Sequence, residues 1–174
     1  ELAEGSDIDL LLVTEDGEGM ETCHELHNGK IIEVTMVGAK LFDEMVKEAN
    51  PVIVGALIYG IPIYGKAAIE NVRKSLNNKK LKGWSEKYYT KGIERLKEAE
   101  TDGNEAIAAV TSLLNAYLLA SGDVKLSYSL EKLTKRIKDE DLRSLLNEFL
   151  KASDAQSLEY AKRIAKVVGS KILK

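Results

Sequence analysis

Glu4-Gly5-Ser6-Asp7-Ile8-Asp9-Leu10-Leu11-Leu12-Val13 sets two aspartates one residue apart at the head of an apolar run. Such a run reads as a buried strand over residues 7–13, where charge is normally excluded. Side chains alternate faces along a strand, so Asp7 and Asp9 share one face while Ile8 and Leu10 take the other. Two neighbouring carboxylates repel each other unless a cation lies between them. Ligands that are all oxygen select a hard ion, most often magnesium. The plainer alternative is a solvated strand face, because an isolated Asp-x-Asp is common.

Working outward, Thr14-Glu15-Asp16-Gly17-Glu18-Gly19 is a polar, glycine-bearing turn, and residues 20–27 read as a second strand. Asn28-Gly29 is a strong two-residue hairpin signal, and Lys30 to Val37 (KIIEVTMV) is then a third strand. Glu33 sits in its apolar interior, an expensive place for a charge without a partner. The third strand can return beside the first or one strand away, which would bring Glu33 onto the aspartate face. Three converging carboxylates would suit a two-ion site, with ions roughly 3.5–4 Å apart. Ala39 to Ala49 has helical spacing, Asn50-Pro51 starts a further short helix, and Ile61-Pro62-Ile63-Tyr64-Gly65 reads as a short strand.

From Lys66 onward the apolar period is helical throughout, with helices expected at about 67–77, 82–101, 104–121, 128–138, 139–151 and 154–172. Each carries one apolar stripe, which implies a bundle. The fold class expected is α+β: a small mixed β-sheet with helices over residues 1–66, followed by an all-helical bundle over 67–174.

The bulk composition is that of a globular protein, with 44% hydrophobic and 30% charged residues. A formal net charge of −3 gives no protein-wide field to gather nucleic acid. Cys23 is the single cysteine, which excludes an internal disulfide framework and fits a reducing cytoplasm. No apolar run reaches the roughly 18 residues that would cross a bilayer.

Gly5-Ser6-Asp7-Ile8-Asp9-Leu10-Leu11-Leu12-Val13 resembles the Asp-x-Asp strand of the DNA polymerase beta-like nucleotidyltransferase superfamily, and in particular its minimal nucleotidyltransferases. Ile32-Glu33-Val34 is similar to that family's later strand with the third carboxylate, and Val54 to Gly65 is similar to its helix running into a Tyr-Gly segment. The resemblance implies a nucleotidyltransferase-type fold over residues 1–66. It also implies transfer of a nucleoside monophosphate from an NTP, ATP first, to an acceptor hydroxyl with release of pyrophosphate. Asp7 and Asp9 would bind two magnesium ions, and Glu33 would complete the site as metal ligand or as the group that deprotonates the acceptor. The family's Gly-Ser phosphate-holding turn lies upstream of the Asp-x-Asp strand. Gly5-Ser6 is too near Asp7 to be that turn, and the chain opens without methionine. The expectation is a longer natural protein whose first helix, strand and Gly-Ser turn precede residue 1.

The helical half resembles, more loosely, the bundles that accompany these enzymes, including the HEPN-type partners of minimal nucleotidyltransferases. The ribonuclease motif of active HEPN domains needs a histidine near an arginine, and no histidine follows His27, so RNA cleavage is not expected. A second function class is a catalytically weak nucleotidyltransferase fold acting as a binding module, antitoxin-like. A glycosyltransferase Asp-x-Asp would need a Rossmann-like half before it. The acceptor, a small molecule or a protein, is not identified. A homodimer would fit a half-open catalytic face, though no residue demonstrates one. Cys23, His24 and His27 read as surface or structural residues, because His24 and His27 face opposite sides of a strand and a fourth ligand is missing. Asn77-Asn78-Lys79-Lys80-Leu81-Lys82 reads as a solvated linker, and Trp84, Tyr88 and Tyr89 as core aromatics. Lys87, Lys91 and Arg95 ride the same helix and could line a cleft.

Overall fold

The computed structural model describes residues 8–102 and 105–173. Contacts divide the chain into two compact units, residues 1–56 and 57–174. In the first, β1 (Ile8–Thr14), β2 (Met20–His27) and β3 (Lys30–Gly38) form one sheet in the order β1-β3-β2. The central strand, β3, runs parallel to β1 and antiparallel to β2. Asn28 and Gly29 close the hairpin, both left-handed at φ 50° and 75°. That is the backbone of a two-residue primed turn, whose twist matches the flanking strands.

Because β3 lies between β1 and β2, the connection from β1 to β2 has to pass the end of β3. Glycines make room for it. The Gly38 N–H donates to the Gly19 carbonyl at 3.0 Å, and a Cβ at Gly38 would overlap the carbonyl oxygen of Gly17. Gly38 has an ordinary φ of −66°, so the position demands space and not conformational freedom.

Helix α1 (Ala39–Lys47) buries Phe42 and Val46. It ends at Ala49, left-handed at φ 53°, where the N–H groups of Ala49 and Asn50 return to the carbonyls of Val46 and Met45. This paired return satisfies carbonyls that the helix end would otherwise strand. Asn50 then caps α2 (Pro51–Tyr59), its Oδ1 accepting from the N–H groups of Val52 and Ile53 at 3.0 and 3.4 Å. Pro51 fits the first helical position, where an N–H would have no partner.

The second unit holds α3 (Lys66–Ser75), α4 (Asn78–Glu98), α5 (Glu105–Ala120), α6 (Leu130–Thr134), α7 (Glu140–Lys151) and α8 (Asp154–Ile172). The strand expected over 61–65 is not there. Ile61, Ile63 and Tyr64 are 88%, 84% and 95% exposed and pair with no described strand. Pro62 removes a donor, and Gly65 at φ 66° turns the chain directly into α3. Arg73 on α3 closes the end of α2, its guanidinium donating to the carbonyls of Leu57 and Gly60. The residues expected to be a linker at 77–82 instead start α4, because Asn77 Oδ1 accepts the Lys80 N–H at 3.0 Å and so nucleates the first turn.

Helix α5 is the core of this unit. Ala109, Val110, Leu113, Leu114 and Ala116 are wholly buried, and the helix packs on α4, α6 and α8. Each such leucine contributes roughly 1.5–3 kcal/mol by burial. The buried Asn115 is satisfied in full: its amide donates to the carbonyls of Thr111 and Ser127, and its Oδ1 accepts the Ser127 N–H. Trp84 and Tyr88 are buried, in keeping with their helical spacing. Among the described residues no helix is long and apolar enough to cross a membrane.

Asp139 ties two helices. Its Oδ1 accepts the Leu142 N–H at 3.0 Å to cap α7, and its Oδ2 lies 3.0 Å from Lys171 Nζ on α8. The Leu142 N–H, followed by Lys171, holds this carboxyl below the usual carboxylate range. A depressed folded pKa contributes stability above the unfolded value that is lost as pH falls through the folded one. Asp139→Ala is therefore expected to cost about 1 kcal/mol near neutrality. In urea titrations the gap from wild type should close below about pH 4. In the other unit, Gly38→Ala is expected to cost on the order of 1–3 kcal/mol or more, read as a lower thermal midpoint, because a methyl group would strike backbone that cannot move aside.

Candidate active site

The parallel register of β1 and β3 sets Asp9 directly opposite Glu33. The antiparallel register of β2 and β3 sets His24 opposite Glu33 from the other side. Residues directly opposite one another share a face of a sheet. Asp9, Glu33 and His24 thus form one row across all three strands, with Glu33 in the middle. Neighbouring strands lie about 4.8 Å apart, so Asp9 and Glu33 leave the sheet side by side on that face. Asp7 lies outside the described residues.

The electrostatics of the row are lopsided. Among the described residues no lysine or arginine pairs with Asp9 or Glu33. His24 Nε2 lies 3.0 Å from Glu33 Oε2, with the two side chains 60% and 41% exposed. An ionised carboxylate only accepts, so Nε2 carries the hydrogen in this pair. On the same face of the hairpin, the hydroxyls of Thr22 and Thr35 lie 3.3 Å apart. Cys23 and His27 belong to the opposite face, with Cys23 Sγ 3.8 Å from the Val34 carbonyl. Among the described residues no three His, Cys, Asp or Glu side chains converge to hold a metal ion.

Of the residues singled out in the sequence, the fold brings Asp9 and Glu33 together. It adds His24, which taken alone reads as a surface residue. The signal for it is present in the chain. Once Asn28-Gly29 is taken as a two-residue turn, the pairings run outward from His27 with Lys30 and reach His24 with Glu33. On α4, Lys91 is exposed and Arg95 lies 3.9 Å from Glu105.

Neither a family model nor a curated protein matches the chain. In fold it is similar to a nucleotidyltransferase-like protein from Exiguobacterium sibiricum 255-15, whose crystal structure was solved at 1.90 Å, with a TM-score of 0.58 and 16% identity. The match covers 95% of this chain and 64% of that one, so this chain spans less than two thirds of its neighbour. At such identity the likeness concerns the fold alone. The chain has a nucleotidyltransferase-like α+β fold, a small mixed three-stranded sheet followed by a helical region.

Proposed function

We propose that this chain carries the catalytic carboxylates of a magnesium-dependent nucleotidyltransferase. It moves a nucleoside monophosphate from an NTP, ATP in the first instance, to an acceptor hydroxyl. The observation that carries the reading is the in-register pairing of Asp9 with Glu33 on one sheet face of a nucleotidyltransferase-like fold. Like charges directly opposite each other on a sheet are destabilising. Among the described residues the protein supplies no lysine or arginine to offset them. Two anionic oxygen donors with no lysine or arginine beside them among the described residues suit a hard divalent ion, and Asp7, Asp9 and Glu33 would hold it. Bound magnesium supplies charge neutralisation for the triphosphate and the departing pyrophosphate.

The chain's own residues take the remaining parts. Strand pairing sets the backbones of Asp9 and Glu33 side by side before substrate arrives, so less has to be organised at the moment of reaction. His24 engages Glu33 Oε2, and Oε1 is the oxygen assigned to the acceptor. The acceptor oxygen forms a bond to the α-phosphorus as the bond to the bridging oxygen of pyrophosphate breaks. The acceptor proton passes to Glu33 Oε1. Removing a positioned general base typically costs 10²–10⁴-fold.

The test uses the full-length natural protein with α-labelled ATP, magnesium and a panel of hydroxyl acceptors, protein hydroxyls included. Asp9→Asn and Glu33→Gln are each expected to lower label transfer by at least about 100-fold while leaving the circular dichroism spectrum unchanged. Labelling equal to wild type in both variants would overturn the assignment. Absence of any nucleotide binding would favour instead a nucleotidyltransferase fold used as a binding module.

A further inference from the structure

Strand pairing alone does not fix the carboxylate that the proposed chemistry leans on hardest. Glu33 is on a strand with its side chain 41% exposed, and a glutamate has three rotatable bonds. What restrains it is an imidazole from the neighbouring strand. His24 is held opposite Glu33 by the hairpin register, and its Nε2 reaches Oε2 at 3.0 Å. A histidine ring has only two torsions and a fixed N–H direction, so it is a stiffer anchor than a lysine would be. The threonine pair farther along the same face, with Thr35 buried, sits beside the same part of the hairpin.

We infer that His24 is a positioning residue: its Nε2–H holds Glu33 Oε2 and leaves Oε1 as the single oxygen presented towards metal and acceptor. The inference rests on the nucleotidyltransferase reading and deepens it. It assigns a job on the site's face to a histidine that neither the resemblance nor the fold comparison places there. Groups that hydrogen-bond a ligating carboxylate fix its orientation, and losing such a partner typically costs 10–100-fold in metal affinity or activity.

The experiment compares His24→Leu, which removes the donor, with His24→Gln, whose amide nitrogen can stand near the position of Nε2. Asp9→Asn and Glu33→Gln serve as references, all in the full-length natural protein. The first readout is Mn²⁺ binding by electron paramagnetic resonance, followed by label transfer from ATP and by thermal unfolding. His24→Leu is expected to weaken Mn²⁺ binding about 10–100-fold. His24→Gln is expected to recover most of that loss. The thermal midpoint should barely move, because exposed pairs contribute little to stability. If His24→Leu binds Mn²⁺ like wild type while Glu33→Gln does not, or if His24→Gln is no better than His24→Leu, the positioning role is overturned. If Asp9→Asn and Glu33→Gln themselves bind Mn²⁺ like wild type, the nucleotidyltransferase reading falls and takes this role with it.

Discussion

A one-residue slip of β3 against β1 would turn Glu33 to the face opposite Asp9. Strand register is therefore the constraint on which this candidate site depends. The chain fixes it at several points. The Asn28-Gly29 turn admits only one pairing of β2 with β3. The glycine-lined connection fits only where Gly38 meets Gly17 and Gly19. At the head of β1, Ile8 and Leu10 are half-buried while Asp9 between them is exposed, so the two faces differ where the aspartate stands. Those devices lie in turns and apolar positions, away from the carboxylates they place.

The helical unit is organised on a different principle. Its central helix, α5, is buried along most of its length, so its few polar groups have to be satisfied inside the unit. Asn115 does so by binding both the carbonyl and the N–H of Ser127, which pins the chain between α5 and α6 to the core. Ser85 gives its hydroxyl to the Ala116 carbonyl at 2.8 Å. Close approach of helices is obtained by glycine once more: at Gly92 a Cβ would strike Leu113, and at Gly169 it would strike Tyr89. Buried polar groups with all partners present favour one arrangement of helices over the many that leucine packing alone would allow.

Much of this is legible in the amino-acid sequence, for reasons that differ from element to element. The hairpin is readable because Asn-Gly has few alternatives, and α2 because Asn50-Pro51 satisfies and omits the right donors. The aspartate face of β1 follows from the period of a strand. The pairing of β1 with β3 does not, because parallel register is set by packing and by a connection whose course the sequence does not state. His24 is easily passed over, since beside Cys23 and His27 it invites comparison with zinc ligands, and its cross-strand partner is nine residues further on. The segment 61–65 misleads because its isoleucines look like strand residues, and β-propensity records packing that this segment does not have. Lys79, Lys80 and Lys82 hide a helix start, since their charge draws more weight than the cap at Asn77.

The hairpin has a bearing on the order in which the row is assembled. His24 and Glu33 are nine residues apart in the chain and are joined by a two-residue turn, so the entropy of bringing them together is small. Asp9 reaches Glu33 only after β1, the glycine connection and the whole hairpin have found their places. The entropy of closing a loop grows with its length. The closure that joins histidine to glutamate thus costs less chain entropy than the one that joins the two carboxylates, which are neighbours only in the finished sheet. The binding of a divalent cation between them would report on completion of the sheet and not merely on formation of its hairpin.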